Sequence, residues 1–158
     1  MHPNPTVGNQ ILNKAALFRG IFLNQVTHIE KLIDIRIANH FCTTEDRALE
    51  IVDLVFGDRF ITFESKRTIY EIIIKKHHPE DYKANKANFQ KLTNIQTVRN
   101  RLAHLIVSVS EDAVKQFEKD GTLGFVKFKE KTEALYYSPK EQNEILQDTE
   151  DIVRWLIF

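Results

Sequence analysis

Between about Asn9 and Phe41 the apolar side chains Leu12, Ala16, Phe22, Val26, Ile29, Ile33 and Ile37 return every three or four residues. That period belongs to a helix with one buried face. A helix of this length runs roughly 50 Å and needs other helices along its side to cover that face. Only five glycines and four prolines interrupt the 158 residues, which favours long helices throughout. Gly20 lies inside the first helix and permits close packing or a kink. Residues 1–8, with Pro3, Pro5 and Gly8, read as a flexible tail.

Local signals divide the rest. Thr43, Thr44, Glu45 and Asp46 have the composition of a helix start, and that helix is expected to reach Phe56 and stop at Gly57-Asp58. Another is expected from Phe63, carrying Ile69, Ile72 and Ile73, to His77-His78, because the residue before Pro79 avoids helical geometry. Residues 81–87 are polar and read as a connector. A long helix is expected from Asn88 to Ser108, buried along Leu92, Ile95, Leu102, Ile106 and Val109. Ser110-Glu111-Asp112 starts a short helix that ends near Lys119, before Gly121. Residues 124–137 alternate and are rich in strand formers, so they read as a β-hairpin turning near Lys129–Thr132. Ser138-Pro139 then opens a last helix through Ile145, Leu146, Ile152, Val153, Trp155 and Leu156. The fold class is mainly α: an up-and-down bundle of four to five helices with a small late hairpin.

The 22 basic and 22 acidic side chains cancel. This argues against nucleic-acid binding by bulk charge and leaves a local basic groove open. Cys42 is the only cysteine, which excludes an internal disulfide and suits a reducing compartment. No apolar run approaches the ~20 residues of a membrane span, and Met1-His2-Pro3-Asn4-Pro5 lacks a signal peptide's basic and apolar regions. The expectation is a cytoplasmic protein with no membrane partner.

The chemistry concentrates in Thr97-Val98-Arg99-Asn100-Arg101-Leu102-Ala103-His104. Asn100 and His104 are i,i+4 neighbours on one helix strip, and Arg99 precedes Asn100 at the edge of the apolar stripe. A permanent cation, a carboxamide and a residue type that titrates near neutrality suit cleavage of a phosphodiester. Arg-x4-His is by itself a weak pattern. The plain alternative is a helix whose arginine pairs with an acid and whose histidine sits at the surface.

Arg99-Asn100-x-x-x-His104, late in a long helix of an almost all-helical chain, resembles the defining motif of the HEPN superfamily. Phe89-Gln90-Lys91-Leu92, leading through Ile95 into the motif, and the preceding helix with Phe63 and Lys66 extend the likeness over about residues 10–110. The resemblance implies a single HEPN-like helical domain over 9–158 that forms a homodimer, with Arg99, Asn100 and His104 of both copies meeting in one cleft. Arg99 and His104 stand ~7.5 Å apart along the helix axis, so a symmetric partner would complete a site that one copy leaves open. It further implies a metal-independent endoribonuclease of the toxin or host-defence kind, needing no cofactor and leaving a 2′,3′-cyclic phosphate and a 5′-hydroxyl. His104 would serve as general base or acid, Arg99 would stabilise the phosphate, and Asn100 would hold a phosphate oxygen or orient His104. The alternative within the family is a catalytically inactive dimerisation, RNA-binding or nucleotide-binding module. A cognate antitoxin protein fits the same picture. However, Leu105-Ile106-Val107 lacks the tyrosine that is modified with AMP in some members.

Lys75, Lys76, Lys83, Lys86 and Lys91, interleaved with Tyr82 and Phe89, form the densest local excess of positive charge. Lys83, Lys86, Lys91 and Arg101 are the expected RNA-binding residues; the plain alternative is an ordinary lysine-rich connector. His77 and His78, near Glu71, Glu80 and Asp81, lack zinc spacing and read as a solvated helix end, so no metal site is expected. Glu30 and Asp34, one turn apart, read as part of a solvated face or as a partner for Arg99. Phe125, Phe128, Tyr136 and Tyr137 read as hairpin packing and Trp155 as core.

Overall fold

The computed structural model describes residues 5–57, 61–127 and 133–158. Among them are seven α-helices: α1 (Pro5–Phe41), α2 (Glu45–Ile51), α3 (Phe63–His77), α4 (Pro79–Ala84), α5 (Lys86–His104), α6 (Glu111–Asp120) and α7 (Pro139–Ile157). A π-helical turn, Val52–Phe56, extends α2. Three short strands, β1 (Ile106–Val107), β2 (Leu123–Lys127) and β3 (Glu133–Tyr137), form one antiparallel sheet in that order. The mainly α class with a small late hairpin is what the structure shows, with more helices than the expected four or five.

The chain forms two compact units, Met1–Asn24 with Thr97–Asp148, and Gln25–Gln96 with Thr149–Phe158. Helices α1, α5 and α7 each supply residues to both.

In the first unit α1 starts at Pro5, ahead of the expected Asn9. Proline suits a first helical turn, where its missing N–H would have no partner. The buried face is Ile11, Ala15, Phe18 and Phe22, whereas Leu12 and Ala16, expected inside, are exposed. Phe18 stacks on Phe22 and meets Tyr137, which packs edge-on against the fully buried Phe125 at 5.7 Å. The hairpin aromatics therefore pack as expected, Tyr136 being half-buried; Phe128 and the turn at 129–132 lie outside the described residues.

Helix α5 ends at His104 and does not continue to Ser108. The β-branched pair Ile106-Val107 leaves the helix and joins the sheet, opposite Val126 and Phe125. Leu105, not Ile106, is the last buried residue of the stripe; Ile106 and Val109 are exposed. Helical periodicity carries on by coincidence into a segment whose partner lies far along the chain. Helix α6 begins as expected: the Ser110 hydroxyl accepts from the Ala113 N–H. It ends at Gly121, whose φ of +83° only glycine adopts without strain. Helix α7 opens with a capping box, the Ser138 N–H and hydroxyl both donating to Glu141 Oε2 at 2.7 Å.

In the second unit the core includes Val26, Ile29, Ile33, Ile37, Phe63, Ile73, Leu92 and Ile95. Ile69 is half-buried and Ile72 exposed. Trp155 meets Phe89 edge-on at 5.1 Å and is half-buried. The connector expected over residues 81–87 is largely helical: 81–84 fall in α4, which has Pro79 in its first turn and Glu80 and Asp81 near the positive end of its dipole, and α5 already begins at Lys86. Glu30 and Asp34 are neither a solvated face nor a partner for Arg99: Lys66 Nζ reaches Glu30 Oε1 at 2.8 Å and Asp34 Oδ2 at 3.0 Å. The same ammonium donates at 2.9 Å to the carbonyl of Phe56, the last residue of the π-helical turn. No helix among the described residues is long and apolar enough to cross a membrane.

Candidate nucleic-acid interface

The candidate site lies in the first unit and is built on the last two turns of α5. Thr97, Asn100, Arg101 and His104 stand at i, i+3, i+4 and i+7, so a straight helix aligns them on one face. That face lines a groove of about 680 Å³. Leu105, buried just past the helix end, forms part of its floor.

The opposite wall is the hairpin. In its register Phe125 opposes Leu135 and Lys127 opposes Glu133. Strand alternation puts these four side chains on one sheet face, and Lys127, Glu133 and Leu135 line the groove. The groove thus has a helical wall bearing a cation, a carboxamide and an imidazole, and a strand wall bearing a cation, a carboxylate and an apolar side chain.

Arg99 is not among the lining residues. It is half-buried beside the groove, and its Nη1 donates to Asn100 Oδ1 at 3.2 Å. This bond ties Arg99 to a side chain that lines the groove and leaves the Asn100 amide N–H₂ without a donor role in it. Arg101, expected only as an RNA-binding residue, lines the groove in place of Arg99.

Sequence reasoning missed Arg19. From α1 its Nη2 donates to the Leu105 carbonyl at 2.8 Å, and its guanidinium lies over the Phe125 ring at 5.3 Å. Burial pushes its pKa below the ordinary arginine value. The helix end leaves carbonyls without intrahelical partners, and Arg19 satisfies one next to His104. An arginine set between Phe18 and Phe22 of α1 was the available signal, and nothing local named its partner.

Lys83, Lys86 and Lys91 belong to the second unit. Lys83 pairs with Glu80 at 2.8 Å and Lys91 with Asp151 at 2.9 Å. Lys75 pairs with Glu71 at 2.8 Å and lies over the Tyr82 ring. Much of the lysine cluster is therefore matched locally by acids. His77 meets His40 at a tilt, ring centres 4.7 Å apart, and burial together with the charges of its neighbours pulls its pKa down. Among the described residues no group of three His, Cys, Asp or Glu side chains is placed to hold a metal ion.

Over residues 16–152 the chain matches the model of one family, the Cas_Csm6 HEPN domain. The chain belongs to this family. The match takes in α5 with Arg99, Asn100 and His104. It also runs through the hairpin and most of α7, beyond the residues 10–110 on which the sequence resemblance rests. The hairpin thus lies within the matched span. No curated protein and no solved structure matches the chain.

Proposed function

We propose that this HEPN domain is an endoribonuclease of host defence or of a toxin system, cleaving RNA without a metal ion or other cofactor. The observation that supports it most is the single helical row of Asn100, Arg101 and His104 along one groove, with Arg99 bound to Asn100 beside it. The RNA 2′-oxygen attacks the adjacent phosphorus and the bond from phosphorus to the 5′-oxygen breaks. One His104 accepts the 2′-hydroxyl proton and an imidazolium returns a proton to the departing 5′-oxygen. The products are a 2′,3′-cyclic phosphate and a 5′-hydroxyl. Arg99 and Arg101 offset charge on the phosphate, and the Asn100 amide holds one of its oxygens. Two roles for one residue type are met when two copies face each other, so the working form is a homodimer with His104 of the partner subunit as the second group. Lys83, Lys86 and Lys91 add positive charge toward RNA, the first and last in competition with Glu80 and Asp151.

Purified protein incubated with total RNA in the presence of a chelator is expected to give fragments with those two termini. His104→Ala is expected to lower the rate at least a hundredfold. Undiminished cleavage by His104→Ala removes the mechanism. RNA binding with no cleavage by the wild type favours the alternative, an inactive RNA-binding module using the same groove.

A further inference from the structure

The hairpin wall carries chemistry that phosphodiester cleavage does not call for. Glu133 places a carboxylate in a groove expected to hold a polyanion, and two like charges at close range repel. Lys127 stands directly opposite Glu133 in the strand register, so both side chains leave the same sheet face side by side. Among the described residues neither side chain takes a hydrogen bond or ion pair, although both line the groove. The two are thus an exposed acceptor and an exposed cation at the strand edge across from Asn100, Arg101 and His104.

Position sorts what each can hold. Phosphate oxygens are acceptors only and go to Arg101, Lys127 and the Asn100 amide. Glu133, also an acceptor only, has to take a donor, and the donors RNA offers at this range are sugar hydroxyls and the N–H groups of base edges. A carboxylate offers two oxygens side by side. Of the four bases only guanine presents two adjacent N–H donors, N1–H and the N2 amino group, on its pairing edge. That edge is free only in an unpaired nucleotide. Leu135, two residues along β3 and on the same face, gives the flat ring an apolar surface.

We infer that Lys127 and Glu133 are the specificity-determining residues of this groove: Lys127 takes a phosphate, and Glu133 reads an unpaired guanosine beside the cleaved bond. The inference rests on the proposed RNA-binding groove and adds which nucleotide it selects.

The test uses the full chain carrying His104→Ala and fluorescent oligouridines with one central guanosine, adenosine or cytidine, or none. The guanosine oligomer is expected to bind about tenfold more tightly than the others. Glu133→Gln presents one acceptor and one donor, which pair with the edges of adenine, cytosine and uracil alike and no longer match the two donors of guanine. It is expected to lose the guanosine preference while the oligomers without guanosine bind within a few fold of before. Lys127→Met is expected to weaken all four oligomers alike and to flatten the salt dependence. A structural role for Glu133 would lower all affinities together and leave the order of bases unchanged. That result, or wild-type binding indifferent to the base, overturns the inference. A guanosine preference that Glu133→Gln abolishes, in a protein that cuts no RNA, upholds it while the nuclease reading fails.

Discussion

Lys66 shows how much one side chain settles. It is 2% exposed, and its ammonium meets two carboxylates and a carbonyl. Burial works against its charge, yet hydrogen bonds to Glu30 and Asp34 outweigh it and hold its pKa above the ordinary lysine value. Burial also pushes Asp34 upward, against the pull of Lys66. Lys66→Met leaves the buried Asp34 with only the more distant, half-exposed Lys31 at 4.0 Å, and a loss of about 3–5 kcal/mol is expected in urea unfolding. Without Lys66 the upward push on Asp34 stands almost alone. A carboxyl whose folded pKa exceeds its unfolded value destabilises as pH rises past ~3.9, so Lys66→Met is expected to be more stable in mild acid than at neutrality. Adding Asp34→Leu should recover most of the loss and abolish that slope. A change below about 1 kcal/mol in Lys66→Met would refute this account. The cluster was not legible in the sequence, because Lys66 lies 32 positions from Asp34 and no local pattern joins them.

Elements were legible where their cause was local. Ser110, Gly121 and the Ser138-Glu141 box act on residues a turn away, and each marks a helix end where expected. Strand β1 was hidden because only β2, many residues later, makes it a strand. The π-helical turn was hidden because no local pattern sets it apart from an α-helix, and the Lys66 contact at its last carbonyl comes from ten positions away. At the candidate site the same division holds. Asn100, Arg101 and His104 share a face by helix period alone, while the hairpin wall depends on which sheet face turns toward α5. Two changes test the α7 cap. Ser138→Ala is expected to cost about 1 kcal/mol in thermal or urea unfolding. Hydrogen bonds from Ser138 hold the Glu141 carboxyl below its ordinary range, so its contribution is complete above about pH 4.3 and fades as pH falls further. Glu141→Gln is accordingly expected to reduce the acid-induced fall in melting temperature between pH 7 and mild acid. An unchanged fall would show that the cap carries none of it.

At the scale of the whole molecule, the proposed nuclease needs two copies. Activity per chain is expected to rise with protein concentration across the range where sedimentation shows dimer forming, and to plateau above it. Constant activity from a monomer would confine the chemistry to one groove and remove the composite site. The groove itself has a further consequence, which concerns the order of synthesis. Its floor is held by Arg19 reaching the Leu105 carbonyl 86 residues downstream, and its second wall arrives only with Lys127, Glu133 and Leu135. The motif, Arg19 and Leu105 have all been made before the hairpin that supplies this second wall. A chain broken off before residue 127 carries every motif residue but lacks Lys127, Glu133 and Leu135, so the groove in which the proposed chemistry takes place is complete only once the hairpin has been made.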